Sequence, residues 1–266
     1  MMQDQQRTEP ALPLFILVVD DDELNRRMME LLLKREGHAI VFASNGEEAL
    51  EAVKANRFDI VLMDLQMPVM DGVEASRRIR EWEAESRHTY IVALTASYMP
   101  ERGRELYEAG IDNYLAKPFE LSHLRNILLS GEEGHKRATS PKIRAITSET
   151  PTEEPGIDIQ VGILRVGGNR EVFNDLLADF IAELPEKLEK MQTLFRDKDW
   201  ESLYRAAHNL KGVSANLGAL QLSEHAGRLE KQVNEGYNDA VEGLLNEVLN
   251  AARTLMKTAL DPAAGN

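Results

Sequence analysis

The chain has no cysteine. Disulfides, thiolate zinc sites and cysteine nucleophiles are therefore excluded, while the compartment is left open. Positive charge is also short: 31 Lys and Arg stand against 45 Asp and Glu, a net charge of −14. Nucleic-acid binding needs clustered Lys and Arg on the phosphates, so no nucleic-acid partner is expected. The deficit is spread over the chain. Residues 1–130 carry 15 basic and 23 acidic side chains, and residues 157–266 carry 12 and 17, so neither part reads as a basic docking module. Long apolar runs are missing as well. Runs such as LPLFILVV fall far below the ~20 residues of a membrane helix, and the leader MMQDQQRTEP has no apolar signal core. The expectation is a cytoplasmic protein without direct membrane insertion, reaching any membrane receptor through another protein.

What remains is ordinary for a soluble globular protein, with 43% hydrophobic and 29% charged residues. A length of 266 residues suggests two domains. In the first, residues 14–130, five short apolar runs (FILVV, AIVFA, FDIVLM, YIVAL and DNYLA) alternate with helical stretches such as residues 23–36 and 72–85. ILVV and IVLM are continuously apolar, as strands covered on both faces are. Five βα repeats predict an α/β doubly wound parallel sheet. Residues 131–156, rich in Ser, Thr, Pro, Gly and charge, carry no helical or strand period and read as a flexible linker. Strand signals vanish after Ile157. Residues 172–196, 200–217, 220–235 and 240–260 repeat apolar residues every three or four positions. They predict an all-α antiparallel four-helix bundle over residues 157–262, with Pro185 bending its first helix.

Chemistry concentrates at the strand ends of the first domain. The first strand ends in Asp20, Asp21 and Asp22, the third in Asp64, the fourth in Thr95, and the fifth in Lys117. A doubly wound sheet gathers ligands outside the carboxyl ends of its strands. Carboxylates crowded there repel one another and call for a hard cation, Mg²⁺, with Mn²⁺ as a substitute. A carboxylate nucleophile, a metal, a hydroxyl and an ammonium can together hold a phosphoryl group. Helix capping would account for a single strand-end Asp, and Asp22 suits that role. It does not account for reactive groups at four strand ends.

ILVVDDDELNR, DIVLMDLQMPVMDG, IVALTA and YLAKPF resemble, in order, the receiver domain of two-component response regulators. The resemblance implies a flavodoxin-like sheet with strand order 2-1-3-4-5. It implies Asp64 as phospho-acceptor, and Asp20, Asp21, Asp64 and the backbone carbonyl of Gln66 as Mg²⁺ ligands. It also implies Thr95 and Lys117 as contacts to the phosphoryl group, with Tyr114 changing rotamer alongside Thr95 on activation. Tyr114 has a plain reading too, an edge-strand aromatic packed on the last helix of the domain.

The bundle contains RAAHNLKGVSANLGA. Glycine inside a helix costs about 1 kcal/mol relative to alanine, yet Gly212 follows His208 by one turn. On a helix His208 shares a face with Lys211, Gly212, Ala215 and Asn216, while Leu210, Val213 and Leu217 suit the interior. His208 is thus expected on the polar side, with Lys211 a cation for anything carried on the imidazole and Gly212 clearance for an approaching protein surface. The other histidines, His38, His88, His123, His135 and His225, have no comparable company and read as ordinary packed or surface residues. AAHNLKGVSANLGA closely resembles the signature of histidine-containing phosphotransfer (HPt) domains, with LLADFIAELPEKLEKM and LSEHAGRLE similar to the same family. The resemblance implies His208 as the phosphohistidine and Lys211 as support for its phosphoryl group.

Together these readings predict a phosphorelay protein. Its partners would be a sensor histidine kinase as donor and the receiver or HPt domains of other relay proteins. No glycine-rich loop that could cradle a nucleotide marks an ATP-binding kinase module, so phosphate would come from elsewhere. Two other functions fit parts of the pattern: a Mg²⁺-dependent hydrolase with an aspartate nucleophile, and a non-phosphorylated interaction scaffold. The initial Met and polar leader favour a free-standing protein over the C-terminal part of a hybrid kinase.

Overall fold

The computed structural model describes residues 13–84, 86–95, 103–119, 121–133, 156–236 and 240–260. Its first unit is a five-stranded parallel sheet in the order β2-β1-β3-β4-β5, as expected. The strands are β1 (Phe15–Val19), β2 (Ala39–Ala43), β3 (Ile60–Asp64), β4 (Tyr90–Thr95) and β5 (Asn113–Ala116). β1, β3 and β4 are buried over nearly their whole length, which is why they read as unbroken apolar runs. Helices α1 (Glu23–Arg35), α2 (Gly46–Ala55), α3 (Gly72–Glu83), α4 (Gly103–Glu108) and α5 (Leu121–Glu133) follow the strands in turn. α5 runs three residues into the stretch read as linker; of the rest of that stretch only Gly156 lies among the described residues.

Among the described residues the C-terminal unit holds helices and no strands. Its four long helices, α7 (Arg170–Arg196), α8 (Trp200–Asn216), α9 (Leu220–Glu235) and α10 (Ala240–Leu260), stand where the periodicity placed them, and α7 continues through Pro185. A short helix, α6 (Ile159–Arg165), was not expected. Seven residues make too few turns to show a helical period, so the sequence offered only its cap: the Asp158 side chain accepts from the backbone N–H of Val161 at 3.0 Å.

The two units share a core. Val61, Met63, Ile79 and Ile91 lie in one apolar cluster, whereas Ile16, Leu62, Leu94 and Leu124 belong to a second that continues through α1 into Phe173, Phe180, Leu210 and Val213 of the bundle. α1 is apolar on more than one stripe, with Leu24, Met28, Met29, Leu32 and Leu33 all buried, because it is covered from two sides. Leu24 and Met28 border a small gap between the units together with Leu176, Val213 and Leu217. None of the described helices is long and apolar enough to cross a membrane.

Candidate functional site

Three carboxylates converge at the carboxyl edge of the sheet. Oxygens of Asp20, Asp21 and Asp64 lie within 4.8 Å of one another. β1 and β3 are direct neighbours, with Val19 in register with Met63, so their final residues open onto the same edge. Asp20 and Asp64 are 1% and 2% exposed. Between them sits Lys117, whose Nζ donates to Asp20 Oδ2 at 2.7 Å and to Asp64 Oδ2 at 2.6 Å. The remaining oxygens are held by the backbone and α1. Asp20 Oδ1 accepts from the N–H of Asp22 and from Asn25 Nδ2, and Asp64 Oδ1 accepts from the N–H of Gln66 at 3.0 Å. Gly72 closes this loop against the strand, since a Cβ there would collide with the carbonyl of Asp64.

The electrostatics are those of crowded, dry charge. Burial, with repulsion from Asp64 and Asp22, pushes the Asp20 carboxyl up despite the attraction of Lys117. Burial also raises Asp21, against the hydrogen bond it receives from Asn209. Lys117 stays cationic, because the carboxylates of Asp20 and Asp64 outweigh the burial that opposes its charge. Asp21 Oδ1 is buried without a hydrogen-bond partner. An orphaned carboxylate oxygen beside two further carboxylates is the donor set a small hard cation requires, so the residues present fit Mg²⁺.

Asp22 is the N-cap of α1, as its alternative reading had it: Oδ1 accepts from the N–H groups of Leu24 and Asn25 at 3.0 and 3.1 Å. Thr95 ends β4 in register with Ala116, and its carbonyl accepts from the N–H of Lys117 at 2.6 Å, tying the two strand ends together. Tyr114 lies on β5 and is half-buried. It packs on the cluster containing Leu106 of α4, not on α5 as its plain reading expected, because side chains alternate and its neighbour Leu115 takes the α5 face.

His208 lies on α8 and is 5% exposed. The expected polar side of the helix is thus a buried one: Glu230 of α9 and Tyr204 one turn earlier pack on the ring, and Asn25, Lys117 and Pro118 of the sheet unit border a cavity with it. A cavity of about 40 Å³ lies between the units, lined among others by Asn25, Lys117, His208, Lys211 and Gly212. A Cβ on Gly212 would meet no atom within 4 Å, so in this arrangement the missing side chain preserves space in the cavity and relieves no contact.

Four side chains the sequence did not single out complete the geometry. Glu230 of α9 binds His208 Nδ1 at 2.6 Å and Lys211 Nζ at 2.9 Å. Burial opposes its charge, but the His208 and Lys211 contacts outweigh that and hold it below the usual carboxylate range. An ionised Glu230 can only accept, so Nδ1 carries a proton, and in the neutral ring Nε2 is then the nitrogen with the free lone pair. Asn209 donates to Asp21 Oδ2 at 3.0 Å, Lys187 to Asp22 Oδ2 at 2.8 Å, and Gln66 Nε2 to the Tyr204 hydroxyl at 2.7 Å. The bundle thus touches the carboxylate edge directly. Glu230 had a faint signal, an acidic residue one turn after Ala226 on the buried stripe of α9. The cross-unit contacts had none.

Residues 16–129 match the family model of the response regulator receiver domain, and residues 175–259 match that of the Hpt domain. The chain carries a receiver domain followed by an Hpt domain. It is 32% identical over 231 residues to the sensor protein GacS of Pseudomonas syringae pv. syringae, a match covering 86% of this chain and 26% of that protein. Against the signal transduction histidine-protein kinase BarA of Escherichia coli K12 it is 28% identical over 257 residues, covering 94% of this chain and 28% of BarA. The chain thus spans about a quarter of the length of these relatives. Among solved structures, the receiver domain of sensor histidine kinase PA1611 from Pseudomonas aeruginosa PAO1, with magnesium coordinated in its active-site cleft, is 34% identical. That match covers 44% of this chain and 96% of the other, with a TM-score of 0.41. The pairing of receiver and Hpt domains supports a role in phosphorelay signalling.

Proposed function

We propose that the chain passes a phosphoryl group between Asp64 of the receiver and His208 of the Hpt domain, and that the two meet within one molecule. The observation that carries this reading is the cavity bordered by both Lys117 and His208. Its volume of about 40 Å³ has room for about three waters at 10–15 Å³ each, or for the three oxygens of a phosphoryl group.

In the forward direction a carboxylate oxygen of Asp64 attacks phosphorus on the donor, a phosphohistidine of a sensor kinase, and the donor N–P bond breaks. Lys117, held between Asp20 and Asp64, neutralises charge on the equatorial oxygens, and the Thr95 hydroxyl hydrogen-bonds one of them. Mg²⁺, held by Asp20, Asp21, Asp64 and the Gln66 carbonyl, would supply further neutralisation of those oxygens when bound. Nε2 of His208 then attacks the phosphorus, the P–O bond to Asp64 breaks, and the carboxylate is restored. The proton on Nδ1 stays in place, and the positive charge gained by the ring faces the ionised Glu230. The chemistry is positioning and charge neutralisation. Tyr114 and Thr95 serve as the switch pair. Residues 14–130, 131–156 and 157–262 act as receiver, tether and Hpt domain.

The test is to label the chain with a radioactive acyl phosphate and Mg²⁺, then score the product by its stability: aspartyl phosphate is lost in alkali and survives better in acid, whereas phosphohistidine survives alkali and is lost in acid. Parent protein should carry both, Asp64→Asn neither, and His208→Gln only the alkali-labile form. Alkali-stable label in Asp64→Asn would show His208 filling independently of Asp64.

A further inference from the structure

The contacts between receiver and Hpt domain differ in what they would cost a foreign partner. Tyr204 with Gln66 and Asn209 with Asp21 are hydrogen bonds that many polar side chains could replace. The pair Arg27–Asp179 is 49% and 34% exposed at its side chains, so losing one partner leaves the other able to reach water. Asp22 with Lys187 is different. The Asp22 side chain is 5% exposed and that of Lys187 29%. Asp22 cannot turn away, because its other oxygen caps α1 through Leu24 and Asn25. Lys187 is steered from its own helix by Glu183, 3.4 Å away.

Docking therefore buries a carboxylate that only a cation at this one place on the bundle can satisfy. A bundle with a neutral or acidic residue there would leave Asp22 buried beside Asp20 and Asp21 without a counter-charge, and an unpaired buried charge is heavily penalised. Discrimination by penalising the wrong partner is how charged contacts confer specificity. Lys187 is held protonated by Asp22, which outweighs the burial opposing its charge. Lys190 lines the same cleft, so the bundle presents a basic wall to the acidic start of α1.

We propose that the Asp22–Lys187 ion pair is the specificity determinant by which this receiver selects its own Hpt domain, and more generally a helical bundle with a basic residue at the position of Lys187. The proposal rests on the reading of Asp64 and His208 as the two ends of a transfer. It adds that docking, and not the chemistry, depends on Lys187.

The test uses the full chain as a double-mutant cycle of Lys187→Met and Asp22→Asn, Asn being able to keep the cap. Each is labelled by acyl phosphate and Mg²⁺, and the movement of label from Asp64 to His208 is followed over time. Lys187→Met should accept label at Asp64 as the parent does, and transfer it at least about tenfold more slowly, because docking then leaves Asp22 buried without its counter-charge. Asp22→Asn should slow transfer less, since the partly exposed Lys187 can turn to water, and the double variant should be faster than Lys187→Met alone. Lys187→Arg should restore the rate. The parent's transfer should weaken with salt, and that dependence should shrink in Lys187→Met. Equal transfer in parent and Lys187→Met, or additive effects in the double variant, would overturn the proposal while leaving the relay intact. No label at His208 even in the parent would instead overturn the relay reading itself.

Discussion

Replacing Glu230 by alanine separates two jobs that its carboxylate performs. It accepts from His208 Nδ1 at 2.6 Å and from Lys211 Nζ at 2.9 Å, and its side chain is 11% exposed. A hydrogen bond involving a charged group contributes about 1.5–3 kcal/mol. The two partners share one carboxylate, so their losses do not add, and Glu230→Ala should cost about 2–4 kcal/mol of stability. The transfer step loses one charge-assisted contact to the ring that becomes cationic on phosphorylation. At about 1.4 kcal/mol per decade, the rate onto His208 should fall about 10- to 150-fold. Glu230→Gln keeps an oxygen for Nδ1–H and loses the charge, so it should fall between parent and alanine. The folded-state pKa of Glu230 lies below its ordinary 4.5. The stability it contributes is therefore fully present above that value and disappears as pH falls through the folded one. The stability gap between parent and Glu230→Gln should thus be constant near neutrality and close only in acid. The assay pairs urea unfolding across pH with time courses of label on His208. A Glu230→Ala protein that folds and transfers at the parent rate would refute the reasoning.

Other outcomes follow from the same geometry. Lys117→Met leaves Asp20 and Asp64 buried without their shared cation, so it should lose about 3–5 kcal/mol in the absence of metal, be partly rescued by Mg²⁺, and take no label at Asp64; thermal unfolding with and without metal checks this. Mg²⁺ should raise the unfolding temperature of the parent, by an amount corresponding to about 2.7 kcal/mol at a hundredfold excess over Kd, and Asp21→Asn should blunt the shift. Chelation should abolish labelling at Asp64. Gly212→Ala should fold with up to about 1 kcal/mol more stability, since the helix gains and nothing obstructs the methyl; slower label movement in that variant would show that the cavity volume itself is used.

The sheet was legible because its central strands are buried on both faces and so appear as unbroken apolar runs, and because the reactive residues sit at strand ends that the topology must bring together. The long helices of the bundle were legible from period alone, whereas the seven residues of α6 were too few. Asp64, Lys117 and the acidic pair fell together as their spacing required. The surroundings of His208 did not follow from its own helix. Its cavity is bordered by Asn25, Lys117 and Pro118 of the other domain, and its Nδ1 is held by Glu230 on the next helix. Lys187 and Asp22 are 165 positions apart, and no local pattern marks an ion pair at that separation.

In the proposed relay, aspartate and histidine meet in one molecule. The most direct measurement is the rate of label movement from Asp64 to His208 as the labelled chain is diluted over two orders of magnitude. A transfer within the docked chain is first order, and its rate constant should stay the same at every concentration. A rate that falls in proportion to dilution would mean that the label travels between molecules and that the two sites of one chain do not meet.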